Sequence, residues 1–174
     1  GGAGFIGHHL ALDLRFRGAD VQVIDSLQVN HLMALLDSES APPEKNLYEF
    51  MLRDRLRLLE TAGIPIHLDD ARDYHRLSRR LASFEPHVMI LLAAVSHASR
   101  ANKDPMTTLD HCFRSLENVL DFARGAPAKR SLRRFIFFSS SMVYGNFNHD
   151  SVSESDSCEP IGIYGAVKLG SEKL

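Results

Sequence analysis

The chain has 174 residues, 44% of them hydrophobic, which is enough to bury one core, so a single domain is expected. Its 20 basic and 22 acidic residues nearly balance, which argues against nucleic acid or a membrane surface as a partner and favours small-molecule chemistry. The two cysteines, Cys112 and Cys158, lack metal-ligand spacing and predict a reducing, cytoplasmic setting with no metal site. The longest apolar run, residues 88–95, is too short to cross a bilayer, so no membrane association is expected.

Short β-rich runs alternate with longer helical patterns, an order typical of an α/β fold in which helices connect parallel strands. Three of the four strand candidates are almost continuously apolar, as expected of strands that helices cover on both faces. Gly18 and Gly63 stand where two helices should end, and two prolines predict a surface excursion at residues 37–45. In chain order the prediction is a glycine turn at 1–7, a helix at 5–17, a strand at 21–25, a helix at 47–62, a strand at 64–68, a helix at 74–84, a strand at 88–93, a helix at 106–124, a strand at 135–139 and a helix from Tyr164 onward.

The first seven residues, GGAGFIG, place glycines at positions 1, 4 and 7. Without side chains, Gly1 and Gly4 let the backbone turn tightly and approach a pyrophosphate, while Gly7 lets the following helix pack close to the sheet. The helix would then direct the N–H groups of its first turn, including those of Phe5 and Ile6, at the phosphates. A glycine triplet alone also fits an ordinary turn, so its interpretation depends on the residues that follow.

An acidic residue stands at the end of the next predicted strand. Asp25 lies 18 residues after Gly7, close to the place where a dinucleotide-binding fold carries the acid that grips the adenosine ribose. A carboxylate there accepts hydrogen bonds from both ribose hydroxyls and repels a 2′-phosphate, so NAD is predicted in preference to NADP. The alternative is an acid at a strand end in an ordinary loop.

Tyr164 and Lys168 are four residues apart, a spacing that puts them on one face of a helix. A free phenol, with a pKa of about 10, is a poor base at neutral pH, but a neighbouring ammonium and a positively charged nicotinamide ring would both lower that pKa. Ser140 follows the apolar strand candidate FIFF, at the edge where parallel sheets carry their sites, and its hydroxyl could share the proton that moves between a substrate and Tyr164. The alternatives are a surface helix and a capped polar turn.

Together these motifs resemble the extended short-chain dehydrogenase/reductase family, which includes the NAD-dependent nucleotide-sugar epimerases and dehydratases. The resemblance covers nearly the whole chain, and the motifs occur in the family's order. The matching segments are GGAGFIGHHL at the start, VIDS with Asp25, DARD with Asp70, LLAA at residues 91–94, SSSMVYG with Ser140, and YGAVK with Tyr164 and Lys168.

The resemblance implies a Rossmann-like, doubly wound parallel sheet that binds NAD and a nucleotide-diphosphate sugar. Ser140, Tyr164 and Lys168 would be catalytic, with Tyr164 taking a proton from a sugar hydroxyl while hydride passes to NAD. A homodimer through the helix at 106–124 and the helix that starts at Tyr164 is also implied. The implied cofactor contacts are Gly1, Gly4, Phe5, Ile6, Gly7, Asp25, Asp70, Ala71, Leu92, Ala93, Ala94, Tyr164 and Lys168.

Departures from the family pattern narrow the reaction. The 4,6-dehydratases carry an Asp-Glu pair directly after the catalytic hydroxyl residue, where this chain has Ser141 and Met142. Decarboxylating members tend to place a glutamate where Met142 stands. Cys112 and Ser115 replace an asparagine and a glycine that are common in the family. The leading prediction is a 4-epimerase, with a reductase or dehydratase of the same family as the alternative and a non-catalytic NAD-sensing module as the alternative from another class.

The chain starts with Gly1 and stops six residues after Lys168, inside a helical pattern. We therefore expect residues 1–174 to be an NAD-binding domain that is truncated at both ends. The strand before the glycine turn and the family's smaller C-terminal substrate domain would be missing. By itself this fragment is expected to have no turnover.

Overall fold

The computed structural model of the protein describes residues 1–28, 45–95, 98–125, 127–147 and 150–174. The contacts divide the chain into two compact units, Gly1–Asp70 and Ala71–Leu174. Residues 37–44 of the predicted excursion lie outside the described residues. The elements are α1 (Phe5–Phe16), β1 (Val23–Ile24), α2 (Lys45–Thr61), β2 (Ile66–His67), α3 (Tyr74–Phe84), β3 (Val88–Leu91), α4 (Ala98–Lys103), α5 (Pro105–Leu109), a π-helical turn (Asp110–Arg114), α6 (Ser115–Arg124), α7 (Ala128–Ser131), β4 (Arg134–Phe137), a 3-10 turn (Ser141–Val143) and α8 (Ile163–Glu172).

In the unit Gly1–Asp70, strand β1 pairs in parallel with β2, and α2 lies between them in the sequence. Val23 N–H donates to Pro65 O at 2.9 Å, and Asp25 N–H donates to His67 O at 3.0 Å. Because the carboxyl ends of parallel strands meet at one edge of a sheet, Asp25 and the residues after His67 lie at the same edge.

The core of this unit forms where α1 and α2 pack beside β1. Leu59 of α2 is fully buried at its centre. The glycines that follow the two helices, Gly18 and Gly63, have φ values of 89° and 66°, which L side chains adopt only with strain. The predicted helix ends are therefore confirmed. The buried cluster comprises Ala3, Ala11, Val23, Leu59 and Ile64.

In the unit Ala71–Leu174, β3 pairs in parallel with β4 over four residues, from Val88 opposite Arg134 to Leu91 opposite Phe137. Two helices of this unit begin at an aspartate that caps them. Asp73 accepts a hydrogen bond from Arg76 N–H at the start of α3, and Asp104 does the same for Thr107 N–H at the start of α5, both at 3.1 Å. Such caps satisfy amide groups that the first helical turn leaves unpaired.

The helix predicted at 106–124 is a continuous helical run with a wider turn in its middle. After α5 the chain forms the π-helical turn Asp110–Arg114, and α6 continues from it. Such a turn holds one residue more than an α-helical turn. The apolar side chains Leu116, Val119 and Phe122 of α6 are buried. The wide turn therefore shifts the apolar positions of α6 by one residue in the sequence relative to the spacing of a regular helix.

The α/β class and the type of every predicted element are confirmed. The observed strands are shorter than the predicted apolar runs, because pairing extends only where a neighbouring strand runs alongside. The sequence analysis missed α4, α7 and the 3-10 turn, which are too short to show hydrophobic periodicity. Within the described part of the chain, no helix combines the length and apolar character that crossing a membrane requires.

Replacing Leu59 by alanine should lower the free energy of unfolding by about 2–5 kcal/mol, because it leaves a cavity at a fully buried site. Leu68 is 64% exposed in the same unit, and Leu68→Ala should change the free energy of unfolding by less than about 0.5 kcal/mol. Urea denaturation of both variants beside the unaltered protein measures the difference. Equal losses would contradict the position of the core.

Candidate active site

The glycine turn brings the first turn of α1 against the chain's own backbone. Gly4 N–H donates to Gly1 O at 3.3 Å, and α1 begins at the next residue. A Cβ at Gly7 would lie 2.5 Å from Gly1 O and 2.6 Å from Gly2 Cα, which is too close for any side chain. A Cβ at Gly4 would meet Gly1 O at 3.3 Å, which a small shift relieves. Packing within the chain thus requires a glycine at position 7 and leaves more room at position 4.

The N-terminus of α1 suits an anion. Its N-cap residue is Gly4, no side chain caps it, and its first turn contains no acidic residue. The side chains of Phe5 and Ile6 are 67% and 54% exposed. Unpaired N–H groups and the positive end of the helix dipole stabilise a phosphate at such a place. The cradle formed by the turn therefore fits the pyrophosphate of a dinucleotide.

His8 also supports the glycine turn, although the sequence analysis gave it no role. Its side chain is 4% exposed, and Nδ1 lies 2.9 Å from Gly4 O, so the tautomer with a proton on Nδ1 donates to that carbonyl. Burial lowers the pKa of His8, which favours the neutral imidazole. A histidine inside a helical pattern carries no signal for this role, because the contact depends on burial.

Asp25 links the end of β1 to the glycine turn. Its carboxylate is buried, with Oδ2 accepting from Ala3 N–H at 3.0 Å and Oδ1 accepting from Leu27 N–H at 2.8 Å. Leu27 has a φ of 55°, a left-handed conformation that is uncommon for a leucine. Oδ2 also lies 3.3 Å from the N-terminal nitrogen of Gly1. A carboxylate offers about four acceptor positions, so these contacts leave room for a ribose hydroxyl. The carboxylate is therefore held by backbone where the sequence predicts ribose binding.

Asp70 lies in the same unit as Asp25, after β2. Its Oδ2 accepts from Gln28 Nε2 at 3.2 Å, so the segment after β1 is tied to the segment after β2. Sequence reasoning found Asp70 through the DARD motif and missed Gln28, which has no motif of its own. The structure brings the glycine turn, Asp25 and Asp70 together within the unit Gly1–Asp70.

The other predicted cofactor contacts lie in the unit Ala71–Leu174. Ala71 opens this unit, and its carbonyl accepts from Asn118 Nδ2 at 2.9 Å. Residues 92–94, which are Leu92, Ala93 and Ala94, follow β3 and are half-buried. Ser140 follows β4, which runs parallel to β3. These residues and Ser140 therefore stand at the same edge of the β3–β4 sheet.

Ser140 lies close to Tyr164 although 23 residues separate them in the sequence. The serine side chain lowers the pKa of the phenol by hydrogen bonding. Ser140 starts the 3-10 turn, and its Oγ accepts from Met142 N–H at 3.2 Å. Tyr164 is the second residue of α8 and is half-buried. The structure thus brings together the serine and the tyrosine that the sequence predicts to act on one proton.

Gly165 allows this meeting. A Cβ at this position would lie 2.4 Å from Met142 O and 3.0 Å from Pro160 Cβ. The absence of a side chain lets α8 press against the backbone of the 3-10 turn that Ser140 begins. Sequence reasoning used the tyrosine and the lysine of YGAVK and overlooked its glycine, which is the residue that sets the distance between the two segments.

Lys168 lies one helical turn after Tyr164 and is 4% exposed. Its Nζ donates to Phe138 O at 2.6 Å and lies 4.7 Å from the centroid of the Phe137 ring. Phe137 ends β4 and Phe138 follows it, so the lysine joins α8 to the same strand that leads to Ser140. The predicted proximity of Ser140, Tyr164 and Lys168 to one strand end is what the structure shows.

In the chain by itself the pKa of Tyr164 is raised, while the lowering expected of a bound nicotinamide ring stays a prediction. Burial raises the pKa of Tyr164, because a half-buried phenolate loses hydration, and the hydrogen bond with Ser140 acts in the opposite direction. Burial also lowers the pKa of Lys168. The sequence analysis reasoned from the spacing of the pair and gave no weight to the cost of burying both groups.

Cys112 is a buried thiol in the π-helical turn beside these residues. Burial raises the pKa of the Cys112 thiol, while a hydrogen bond from the Val95 backbone and the charge of Lys168 lower it. The first cause is the largest, so the thiol is held neutral. Among the residues that the structure describes, no group of three or more His, Cys, Asp or Glu side chains could hold a metal ion.

A sequence model described as the NAD dependent epimerase/dehydratase family matches residues 1–174. The chain is similar to a UDP-glucose 4-epimerase from Lacticaseibacillus casei, with 27% identity over 174 residues that cover 100% of this chain and 44% of that protein. It is also similar to UDP-glucuronate 4-epimerase 1 from Arabidopsis thaliana, with 29% identity over 178 residues that cover 100% of this chain and 36% of that protein. The chain thus spans less than half the length of these relatives.

Among solved structures, the chain is similar to UDP-glucose-4-epimerase from Stenotrophomonas maltophila, which was crystallised with bound NAD and formylated UDP-arabinopyranose. The TM-score is 0.76 at 24% identity, and the match covers 99% of this chain and 45% of that one. This likeness confirms the predicted Rossmann-like α/β fold.

Gly7→Ala should lower both the stability of the protein and its affinity for NAD, because the new methyl group would overlap the backbone of Gly1 and Gly2. The overlap should cost about 1–3 kcal/mol of unfolding free energy. Gly4→Ala is the matched control: its methyl group meets the chain at 3.3 Å, so stability should stay nearly unchanged while NAD affinity falls. Thermal melting and calorimetric titration with NAD separate the two effects, and two variants that lose stability equally would contradict the geometry of the turn.

Proposed function

We propose that this chain, which belongs to the NAD-dependent epimerase/dehydratase family, is the NAD-binding part of a nucleotide-sugar 4-epimerase. The observation that carries this proposal is the packing of α8 at Gly165 against the turn that Ser140 begins, which places Tyr164 beside that serine, with the buried Lys168 one helical turn away. A phenol, a hydroxyl and an ammonium at the edge of a parallel sheet are suited to moving a proton to and from a sugar hydroxyl.

Each unit contains residues that the family resemblance assigns to NAD. The glycine turn and the N-terminus of α1 would hold the pyrophosphate, and Asp25 and Asp70 would hold the adenosine end. In the other unit, the proposed contacts are Ala71, residues 92–94 and Lys168. Bound NAD would accept a hydride from the sugar, so that a sugar hydroxyl is transiently oxidised, and would then return the hydride to reduce the sugar again.

Tyr164 would take the proton from the sugar hydroxyl as that hydroxyl is oxidised, and would return it on reduction. Ser140 would form a hydrogen bond with the same oxygen of the sugar. It also stabilises the phenolate of Tyr164, because hydrogen bonding by Ser140 lowers the pKa of the phenol. Lys168 is anchored by Phe138 O one helical turn after Tyr164. If the oxidised sugar rotates in the site before the proton and the hydride return, the configuration at the oxidised carbon is inverted.

The substrate class follows from the relatives. Those reported above are named UDP-glucose 4-epimerase and UDP-glucuronate 4-epimerase. A UDP-hexose is therefore the proposed substrate. Ser141 and Met142 stand where dehydratases of the family carry an acid pair, which supports epimerisation over water elimination. A cytosolic homodimer is the proposed working state, supported by the family resemblance.

Tyr164→Phe should abolish turnover and leave NAD in place. The test uses the complete protein that contains this chain, incubated with UDP-galactose and with UDP-glucuronate and followed by NMR. The variant should lose at least about 100-fold in kcat, because the group that moves the proton is gone. Tyr74→Phe is the matched control: Tyr74 lies on α3, where its hydroxyl bonds Asp121, and the variant should keep its kcat.

Other outcomes identify the alternatives. Activity that requires added NADH or NADPH in every cycle would overturn the epimerase and identify a reductase. Unchanged biological activity in Tyr164→Phe, together with an absence of turnover in the unaltered protein, would overturn the enzyme and identify an NAD-sensing module. Release of a 4-keto-6-deoxy product would identify a dehydratase.

Ser140→Ala should move the acidic limb of the pH–rate profile to higher pH. The hydrogen bond with Ser140 lowers the pKa of Tyr164, so its loss raises that pKa and leaves less phenolate at neutral pH. Activity should fall most at low pH and recover in part as pH rises. Profiles of kcat/KM for Ser140→Ala and for Ser139→Ala as the neighbouring control provide the comparison. A shift to lower pH, or none, would contradict the role of Ser140.

A further inference from the structure

The helix that carries Tyr164 begins without a cap from its own chain segment. Helix α8 starts at Ile163, its N-cap residue is Gly162, and its first turn contains no acidic residue. Gly162 has no side chain and a φ of 79°, a conformation that any other residue adopts only with strain. The amide groups of the first turn must therefore find acceptors elsewhere.

Asn102 supplies one of these acceptors from a distant part of the sequence. Ile163 N–H donates to Asn102 Oδ1 at 3.3 Å, across 61 residues. A Cβ at Gly162 would lie 3.2 Å from Asn102 Oδ1 and 3.5 Å from Asn102 Nδ2. The amide group of Asn102 thus lies directly against Gly162, and a side chain there would crowd it. Helices α4 and α8 contact each other in this unit, so the bond is part of a packed interface.

The first turn of α8 is held by two contacts. Gly165 presses against Met142 O in the turn that Ser140 begins. Asn102 accepts from Ile163 N–H and lies against Gly162. Tyr164 stands between these two contacts in the sequence. A helix held at Gly165 alone could still tilt or rotate at its free end, and Tyr164 is within one residue of that end.

We infer that Asn102 is a positioning residue for Tyr164, which fixes the start of α8 so that the phenol reaches Ser140. This inference rests on the proposed role of Tyr164 as the group that moves the proton. A displacement of about 1 Å at a reacting group can lower a rate by about 100-fold. Because the start of the helix lies only two residues before the phenol, the loss of its cap should lower the rate strongly. Asn102 itself is exposed and contributes little to the core.

The test compares Asn102→Ala with Asn102→Asp in the complete protein. Asn102→Ala removes the acceptor and should lower kcat by about tenfold, while KM and the melting temperature change little. Asn102→Asp keeps an acceptor of the same shape and should retain kcat within about threefold at the plateau of the pH profile. Lys103→Ala, at the exposed neighbouring position on α4, is the matched control and should leave kcat unchanged.

A second perturbation reaches the same contact from α8. Gly162→Ala should lower kcat as Asn102→Ala does, because its methyl group crowds the asparagine amide. The double variant should lose less than the product of the two single losses, since both changes remove one interaction. If Gly162→Ala does not fold, the alanine and aspartate variants at position 102 still test whether Asn102 positions Tyr164.

The outcomes separate this inference from the proposed function. A normal kcat in Asn102→Ala, beside a strong loss in Tyr164→Phe, would overturn the positioning role and leave the epimerase proposal standing. A lower melting temperature with normal kcat would also overturn it, because that result describes a stabilising contact alone. Full turnover in Tyr164→Phe would overturn the proposed function and the inference together.

Discussion

In each of the two units, the candidate site residues depend on a helix that packs directly against the backbone of a turn at a residue with no Cβ. At Gly7 the helix α1 meets Gly1 O and Gly2 Cα, and at Gly165 the helix α8 meets Met142 O. Each contact brings polar groups to a distance that a methyl group would prevent. The first presents helix amides to an anion, and the second brings a phenol to a serine. The two glycines serve different chemistry through the same steric condition.

Burial gives the second site its electrostatic character. Burial removes water from Tyr164 and Lys168 and so disfavours the charged form of each. It therefore raises the pKa of the phenol and lowers the pKa of the ammonium. Ser140 partly offsets the first effect, and Phe138 O gives the ammonium a fixed acceptor. Burial therefore opposes the charged form of both groups, and a positively charged ring bound beside the phenol would favour the phenolate.

The structural features that could be predicted from the sequence are those that depend on the spacing of nearby residues. The glycine turn, the strand-end Asp25 and the four-residue spacing of Tyr164 and Lys168 follow from short-range geometry, and the structure places each of them at a strand edge or helix end as predicted. Contacts between distant segments could not be predicted. Asn102 reaches Ile163 and Gln28 reaches Asp70 through the fold, and no motif marks either. The effect of burial on the pKa of Tyr164 could not be predicted for the same reason, because burial is a property of the folded chain.

The π-helical turn accommodates one residue that a regular helix could not hold in the same rotational register. Its five residues, Asp110–Arg114, contain one more than a regular turn would. In a regular α-helix through the same sequence, the extra residue would rotate everything after it by about 100° relative to α5. Leu116 and Phe122 would then turn away from the core in which they are buried. The less regular geometry is therefore the one that keeps the apolar face of α6 covered.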